Sequence, residues 1–255
     1  MSNTNSHDLL SVLDTLEDFV VAGRRRERAD EAQVAQFGDS ATRASSIEAE
    51  RSAAAQSSAE TAPPTVLTGA ERAEALARLI EEITACRACA LGAARKNAVP
   101  GIGALDPLVM VVGEGPGAEE DAQGLPFVGA AGRYLDKWLE AIELSRDTNA
   151  YIANIVKCRP PNNRDPVPEE IETCTPYLAR QIELVNPRAL LAVGRFAAGF
   201  LTGRPDGIGR LRGTVYRYHG RPLIVTYHPS GVLRNPEWRR PVWEDLKLLR
   251  EAVDS

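Results

Sequence analysis

The sequence predicts an α/β fold, a three-layer αβα sandwich with a mostly parallel central sheet, preceded by a disordered N-terminal extension. Two observations lead to this prediction. Over residues 71–255, short runs rich in Val, Ile and Leu alternate with amphipathic segments, a pattern typical of parallel strands covered by helices on both faces. Residues 1–70 are instead polar and rich in Ala, Ser and Glu. The chain of 255 residues is therefore expected to hold an extension, residues 1–70, and one domain, residues 71–255.

The N-terminal extension is predicted to contain one helix and a linker. Over residues 7–21, large apolar side chains recur at helical spacing after Ser6, a candidate N-cap. From Arg24 to Pro64 the sequence has too few large apolar residues to bury a core, which indicates disorder. The amphipathic helix is expected to bind a protein partner or to pack on the domain, although a marginal helix without a partner fits the pattern equally well.

From residue 71 onward, five helices and five strands are predicted. The first helix, over residues 71–85, carries Leu76, Leu79, Ile80 and Ile83 on one face. Further helices are predicted over residues 130–144, 168–185, 195–202 and 238–253. The predicted strands are Leu108–Val112, Tyr151–Val156, Ala189–Val193, Thr214–Tyr218 and Leu223–Tyr227. A ligand of such a sheet is expected beyond the carboxyl ends of the strands.

Composition and charge narrow the function classes. No apolar run approaches the length of a transmembrane helix, and the polar, acidic N-terminus is unlike a secretory signal. Four cysteines are too few for a disulfide scaffold of this length, so a cytoplasmic protein is expected. The protein is also expected to be a monomer. The formal net charge is -5, but residues 204–240 hold eight Arg against two acidic residues, a local excess suited to an anionic ligand.

The four cysteines form two groups whose spacing suggests a metal centre. Cys86 and Cys89 form a C-x-x-C pair at the end of the first predicted helix. Cys158 follows 69 residues after Cys89, and Cys174 follows 16 residues later. Four thiolates can hold either zinc or a 4Fe-4S cluster. The split second pair is unlike a zinc ribbon, but the spacing alone leaves open both metals, as well as four unrelated buried thiols.

Three segments that carry reactive or flexible groups lie at the ends of predicted strands. The first strand runs into the glycine-rich segment Gly113–Gly117, the second includes Asn154, and the last is followed by His228-Pro229-Ser230. Because the carboxyl ends of parallel strands meet at one edge of a sheet, these segments are expected to come together in the fold.

These three motifs, with Gly124–Gly129 and the residues from Asn154 to Pro161, resemble the iron–sulfur (family four) uracil-DNA glycosylases over about residues 80–252. The resemblance is specific because four separated motifs and the cysteine spacing agree in order. It implies an αβα domain that holds a 4Fe-4S cluster on the four cysteines, which favours iron–sulfur over zinc. It also implies an enzyme that hydrolyses the N-glycosidic bond of uracil flipped out of single- or double-stranded DNA, leaving an abasic site in base excision repair.

The resemblance assigns substrate-binding roles to four residues. Phe127 would stack on the flipped base, whereas without the resemblance it would be assigned to the core. The side-chain amide of Asn154 would recognise the N3–H and O4 groups of uracil, whose donor and acceptor are reversed in cytosine. The N–H of Gly115 would approach uracil O2. Glu120 would exclude the C5 methyl of thymine, because position 117, a Tyr in another large family of uracil-DNA glycosylases, is Gly here.

Three residues are candidates for catalysis. As a donor to O2, His228 would stabilise the negative charge of the departing uracil. Glu114 would orient water and stabilise the cationic sugar, with Asp121 as the alternative carboxylate. Related glycosylases with a different first motif place an Asp or Asn one residue later, where this chain has Gly115, so both carboxylates are retained as candidates.

Four residues are predicted to contact DNA outside the base pocket. Ser230 would bind a phosphate, and Arg234 lies on the same loop. Lys157 and Arg159 flank Cys158, in a basic segment that the cluster would hold against DNA.

Two other functions fit parts of the sequence. A non-catalytic iron–sulfur DNA-binding module would keep the cysteines and the basic residues. A relative that traps uracil DNA covalently would need a nucleophilic His after the second strand, and residues 157–164 contain none.

Overall fold

The computed structural model describes residues 67–255. The predicted N-terminal helix and the linker lie outside the described residues. Within residues 67–255 the predicted α/β fold is confirmed, because a six-stranded sheet lies between two sets of helices. No helix in this part of the chain is long and apolar enough to span a membrane.

Helices and strands follow one another as the predicted fold class requires. The helices are α1 (Gly69–Ala85), α2 (Leu91–Ala94), α3 (Ala118–Gln123), α4 (Ala130–Ala141), α5 (Pro168–Val185), α6 (Arg195–Thr202), α7 (Ile208–Leu211), α8 (Pro229–Arg234) and α9 (Arg239–Asp254). The strands are β1 (Ile102–Gly103), β2 (Val109–Gly113), β3 (Ala150–Asn154), β4 (Ala189–Val193), β5 (Val215–Tyr218) and β6 (Arg221–Thr226). Short 3-10 turns lie at Pro161–Asn163 and Pro236–Trp238.

The central sheet has the strand order β1-β3-β2-β4-β6-β5. Its middle four strands, β3, β2, β4 and β6, are parallel, whereas β1 and β5 pair antiparallel at the two edges. Because β3 and β4 lie on opposite sides of β2, the connections diverge there and leave a crevice beyond the carboxyl ends of the strands. Gly113 pairs with Asn154 in the β2–β3 ladder, so the last residues of these two strands lie side by side at the crevice.

The middle strands are buried on both faces. Met110, Val112, Leu190 and Ala192 belong to one apolar cluster with residues of α1, α5 and α6. Alternate residues of the same strands, such as Val111, are equally buried and point to the opposite face, where α9 contacts β4 and β6. Burial on both faces explains why these strands appear in the sequence as continuous apolar runs rather than alternating ones.

Helix α1, which ends just before Cys86, and helix α5, which contains Cys174, begin at defined caps. Thr68 and Glu71 form a capping box at the start of α1, and the Glu170 carboxylate caps α5 by accepting a backbone N–H of the preceding loop at 2.9 Å. Cys86 directly follows α1, and Cys174 lies within α5. Because α1 and α5 contact each other, cysteines far apart in sequence are brought to one side of the domain.

Candidate active site

A cleft of about 820 Å³ opens at the carboxyl ends of the parallel strands. Its walls include residues that follow β2, β3, β4 and β6, so it lies where the sheet topology places a ligand site. The sequence-predicted residues that line it are Glu114, Gly115, Glu120, Phe127, Asn154, His228, Ser230 and Arg234. The structure therefore brings together residues that are up to 120 positions apart in the chain.

Phe127 and Asn154 converge on the end of β2. A Cβ atom placed on Gly113 would lie 2.4 Å from Asn154 Oδ1 and 2.6 Å from Phe127 Cζ, well inside van der Waals contact. Both side chains therefore reach the same point beside the strand end, and only glycine fits at position 113. The loop that carries Phe127 also packs tightly on α4, because a Cβ on Gly132 would lie 1.9 Å from the Phe127 carbonyl oxygen.

The side chain of Asn154 is buried with one hydrogen-bonding atom unused. The residue is 1% exposed, and its Oδ1 atom has no hydrogen-bond partner within residues 67–255. Because a buried acceptor without a partner costs about 1–3 kcal/mol, this position is suited to a ligand that supplies a donor. The backbone of Asn154 is fixed separately, since its carbonyl oxygen accepts a hydrogen bond from Lys157 Nζ at 2.6 Å.

His228 lies beside Phe127 as a neutral imidazole. The centroids of the two rings are 5.6 Å apart, with their planes inclined by 32°. The Nδ1 atom accepts from the N–H of Ser230 at 3.2 Å and lies 2.8 Å from the Ser230 hydroxyl, so the ring proton is on Nε2. Burial, and then the charge of Arg234, lowers the pKa of His228 to about 4. The ring is thus uncharged near neutral pH and offers one N–H donor.

Glu114 is a partly buried carboxyl group with a strongly shifted pKa. Burial is the main cause that raises this pKa to about 7; Asp165 raises it further, and Arg195 opposes the rise. Asp165 and Arg195 form an ion pair with each other, and Arg195 lines the same cleft. A carboxyl group that changes protonation near neutral pH is suited to work as a general base.

Glu120 joins two loops of the cleft. Its carboxylate accepts from the N–H of Gly117 at 3.1 Å, and from the N–H groups of Val128 and Gly129 at 2.9 and 3.0 Å. A Cβ on Gly117 would lie 2.7 Å from Glu120 Oε2, so the carboxylate fills the space in which a side chain at position 117 would begin. These three charge-assisted hydrogen bonds hold the first motif against the loop that carries Phe127.

Three residues predicted for catalysis or DNA binding, Asp121, Lys157 and Arg159, do not line the cleft. Asp121 is buried, and its Oδ1 accepts from the backbone N–H groups of residues 96–97, the nearer at 2.9 Å, so it joins α3 to the segment before β1. Lys157 is only 1% exposed, which corrects the prediction that it contacts DNA. Arg159 is partly exposed, and its Nε donates to Asn163 Oδ1 at 2.8 Å.

All four cysteines line a second, smaller cavity. Donors are directed at the sulfur atoms: the N–H of Lys157 lies 3.3 Å from Cys174 Sγ, and Arg95 Nη1 lies 2.8 Å from Cys158 Sγ. Within residues 67–255, no three or more His, Cys, Asp or Glu side chains are gathered tightly enough to hold a single ion. The thiols surround a cavity instead of converging on one point.

The thiol cavity contains a buried positive charge. Burial lowers the pKa of Lys157 to about 8, and the neighbouring Cys174 and Cys158 oppose this shift. Burial raises the pKa of the Cys174 thiol to about 11, opposed mainly by Lys157. A buried ammonium is costly without a negative partner. The residues that line this cavity therefore fit a metal group held by thiolates, because Lys157 and Arg95 can offset its negative charge.

Several residues that line the cleft were not predicted as site residues, among them Gly194, Arg195, Tyr227 and Trp238. Gly194 and Arg195 directly follow β4, and a Cβ on Gly194 would lie 3.1 Å from the Cβ of His228. The rule that sites lie at the carboxyl ends of parallel strands could have identified both residues. Trp238 lines the cleft as well, but it lies twelve residues after β6, and no sequence pattern marks its position.

Comparison with known proteins identifies the family. Residues 100–247 match a family model described as the Uracil DNA glycosylase superfamily. Two proteins described as type-4 uracil-DNA glycosylases, from Archaeoglobus fulgidus and Thermotoga maritima, are each 44% identical to this chain over 186 residues. These matches cover 70% and 71% of this chain, and 93% and 96% of the relatives.

One further match is to part of a larger protein. A DNA polymerase of Bacillus phage SP01 is 29% identical over 155 residues, which cover 61% of this chain and 17% of that polymerase.

The match to the superfamily spans every residue that lines the cleft, from Glu114 to Trp238. As the four motifs predict, this chain belongs to the uracil DNA glycosylase superfamily and, within it, to the type-4 uracil-DNA glycosylases, enzymes that hydrolyse N-glycosyl bonds.

Proposed function

We propose that the cleft binds a uracil flipped out of DNA and hydrolyses its N-glycosidic bond, which leaves an abasic site for base excision repair. The observation that carries the proposal is the convergence of Phe127, Asn154 and the neutral ring of His228 on one cleft. An aromatic ring can hold a flat base, a buried amide can recognise its edge, and an N–H donor can stabilise it as an anion. A base stacked in a duplex cannot enter such a cleft, so it must first leave the stack.

Asn154 supplies the discrimination between uracil and cytosine. Its unpaired Oδ1 accepts from uracil N3–H, and its Nδ2 donates to O4. Cytosine presents an acceptor at N3 and a donor at N4, so the same amide meets two mismatched groups. The hydrogen bond from Lys157 to the Asn154 carbonyl and the pairing of Asn154 with Gly113 hold the backbone still, which prevents the site from adapting to the wrong base.

Glu120 supplies the discrimination against thymine. Thymine differs from uracil only by a C5 methyl group, so it must be rejected by shape. Glu120 Oε2 occupies the space beside Gly117, and three backbone N–H groups fix the carboxylate there. A carboxylate held in this way cannot swing aside for a methyl group without breaking hydrogen bonds.

His228, Gly115 and Glu114 supply the chemistry. As the bond breaks, negative charge develops on uracil N1 and O2, and the His228 Nε2–H and the Gly115 N–H donate to O2. Position 115 admits only glycine, because a Cβ there would lie 2.7 Å from Val156 Cγ2. Glu114, as a carboxylate, orients the attacking water and favours the cationic sugar. Asp121 is no longer a candidate for this role, since its carboxylate binds residues 96–97.

We infer that the thiol cavity holds a 4Fe-4S cluster. Its ligands are Cys86, Cys89, Cys158 and Cys174, which line the cavity together with the offsetting cations. When bound, the cluster provides a rigid, covalently attached centre, and hydrolysis requires no electrons from it. Its role is therefore to brace the chain after β3, where Lys157 and Arg159 lie on either side of one ligand.

Ser230 and Arg234 hold the DNA strand at the mouth of the cleft. Both belong to α8 and line the cleft. The Ser230 hydroxyl, next to His228 Nδ1, and the exposed guanidinium of Arg234 are suited to phosphate oxygens. Arg159 provides a further positive charge on the segment after β3, within reach of the backbone of a bound strand.

Purified protein is expected to release free uracil from oligonucleotides that contain one uracil, whether single- or double-stranded. Chromatography detects the free base, and alkali followed by a denaturing gel detects the abasic site. Glu114→Gln, which keeps the shape of the side chain, should lower kcat/KM by about 10²–10⁴-fold. Glu119→Gln alters an exposed neighbouring carboxylate and should change kcat/KM little.

Two outcomes would contradict this proposal. If uracil strands stay intact and bind no better than uracil-free strands, the chain acts as a non-catalytic DNA-binding module. If the protein forms an adduct with uracil DNA that survives denaturation, it traps its substrate covalently.

Excision is expected to fall as the pH drops below about 7, because Glu114 must be ionised and its pKa is raised to about 7. His228, with a pKa of about 4, stays neutral across this range. Asp165→Asn should shift the acidic limb of kcat/KM to lower pH, because it removes a negative charge, and Arg195→Gln should shift it to higher pH. The measurement is kcat/KM between about pH 5 and pH 9. A limb that stays in place in both variants would show that another group titrates.

A further inference from the structure

We propose that Tyr227 and Trp238 form a second base-binding surface in the cleft, which stacks with the base next to the uridine in the same DNA strand. The inference rests on the proposed function, because it assigns a second contact to the same substrate. It extends the site beyond the residues that hold and hydrolyse the uridine itself.

The two aromatic side chains form a rigid pair at the cleft. Their ring centroids are 4.3 Å apart and their planes are inclined by 16°, a stacked arrangement. Tyr227 lies between β6 and His228, and Trp238 ends the 3-10 turn after α8. A Cβ on Gly231 would lie 3.1 Å from Trp238 Cζ3, and a Cβ on Gly209 would lie 3.8 Å from the Tyr227 hydroxyl. The pair is therefore held between α8 and α7.

The pair is placed as a binding surface and not as part of the core. Core aromatic residues such as Tyr151 and Trp138 are 1% and 3% exposed, whereas Tyr227 and Trp238 are only partly buried and both line the cleft. Two large aromatic rings left partly open beside a nucleic-acid site are suited to stack on a base.

The size of the cleft leaves room for a second nucleotide. Its volume of about 820 Å³ lies in the range that holds drug-sized ligands, while uracil is a single small ring. Phe127 and Asn154 occupy the end near β2 and β3, where they converge beside Gly113. Tyr227 and Trp238 line the same cleft after β6 and after α8, so a cleft of this size can take the neighbouring nucleotide as well as the uracil.

The charges around the pair match a nucleotide. Arg234 lies on α8, lines the cleft and is exposed, and it forms no ion pair within the part of the chain that the structure describes. A phosphate joins the uridine to its neighbour, so a cation on the helix that packs against Trp238 through Gly231 is suited to bind it. Stacking rings combined with a cationic groove are the usual means of binding single strands.

The proposal makes the contribution of the pair depend on strand state. In single-stranded DNA the neighbouring base is unpaired and free to stack on protein. In a duplex it remains stacked and paired, so the pair contributes less. Loss of the aromatic surface should therefore impair excision from single strands more than excision from duplexes.

The test combines protein variants with altered substrates. On a single strand with ordinary bases beside the uridine, Trp238→Ala or Tyr227→Ala should raise KM by about 5- to 150-fold, the range for loss of one stacked base, with kcat within about twofold of the original value. Trp238→Phe keeps an aromatic ring and should restore most of the affinity.

The control is a strand in which the neighbours on both sides of the uridine are abasic tetrahydrofuran residues. On this strand the alanine variants should have the same KM as the original protein. Equal losses on both substrates would mean that the pair only maintains the shape of the loop, and would overturn the proposal.

A binding measurement separates this proposal from the proposed function. Fluorescence anisotropy with a uracil-free single strand should show weaker binding for the alanine variants than for the original protein, and no such difference with a strand of abasic residues. If the protein released no uracil but this binding difference remained, the proposed function would fail and the aromatic surface would stand. If uracil were released normally and the alanine variants matched the original protein in KM and affinity, only the aromatic surface would fail.

Discussion

Replacement of Asn154 by alanine is expected to lower kcat/KM for uracil excision by about 10²–10⁴-fold. The variant would remove both proposed hydrogen bonds to the uracil edge and would leave the N3–H and O4 groups of the base buried without partners. Each such loss costs about 1–3 kcal/mol. DNA affinity should change little, because Asn154 is 1% exposed and would contact only the flipped base. Steady-state excision assays and fluorescence anisotropy with the same oligonucleotide measure the two quantities.

Asn163→Ala is the matched control for this experiment. Asn163 also lines the cleft, but it is exposed and its Oδ1 accepts from Arg159, so its loss should leave base recognition intact. If Asn154→Ala reduced DNA binding and excision in equal proportion, Asn154 would be a general DNA contact and not the residue that recognises uracil.

Cys174→Ser is expected to abolish iron binding and to destabilise the domain. The original protein should be brown and carry about four irons per chain, whereas the variant should be colourless. Without the thiolate-held cluster, the ammonium of Lys157 stays buried beside the cavity with no negative partner, and an orphaned buried charge costs about 3–5 kcal/mol. Iron analysis, visible absorbance and chemical denaturation measure these effects.

Two controls make this second experiment specific. Thr173→Ser alters a residue that lines the same cavity but is not among the inferred ligands, and it should retain iron. Addition of Lys157→Met to Cys174→Ser should recover part of the lost free energy of unfolding, because an apolar side chain needs no counter-charge. If the double variant lost as much free energy of unfolding as the two single variants together, Lys157 would not be the buried charge that the cluster offsets. If the original protein were folded and active but colourless and contained zinc, the proposal of a 4Fe-4S cluster would be wrong.

Several elements were predicted almost to the residue, whereas the predicted helix 130–144 ends at Ala141 and the predicted strand Tyr151–Val156 ends at Asn154. The helices α5 and α6 and the strand β4 have the predicted bounds, and α9 spans Arg239–Asp254 against a predicted 238–253. Their sequences carry the signal directly, because apolar residues recur at helical spacing or fill a fully buried strand. The helices α2, α3, α7 and α8 have only four, six, four and six residues. They escaped prediction because fewer than two turns cannot show a helical period.

The location of the site was predictable, but the contacts of individual side chains were not. Parallel topology alone brings Glu114, Asn154 and His228 to one edge of the sheet. Glu120 and Asp121 are consecutive acidic residues, yet one supports the cleft and the other binds residues 96–97. Neighbours on a helix point about 100° apart, and the sequence does not say which direction faces the cleft. The charge of Lys157 was equally visible, but its burial depends on a carbonyl and on thiols that approach it only after folding.

The two hydrogen bonds of Lys157 connect the thiol cavity to the end of β3. Its backbone nitrogen donates to the Cys174 sulfur, and its side-chain nitrogen donates to the carbonyl of Asn154, so the proposed cluster and the proposed uracil-binding residue would share one support. Loss of the proposed cluster is therefore expected to disturb the position of Asn154 as well as the thiol cavity. Iron-depleted protein should then lose activity on uracil and should not gain activity on cytosine or thymine.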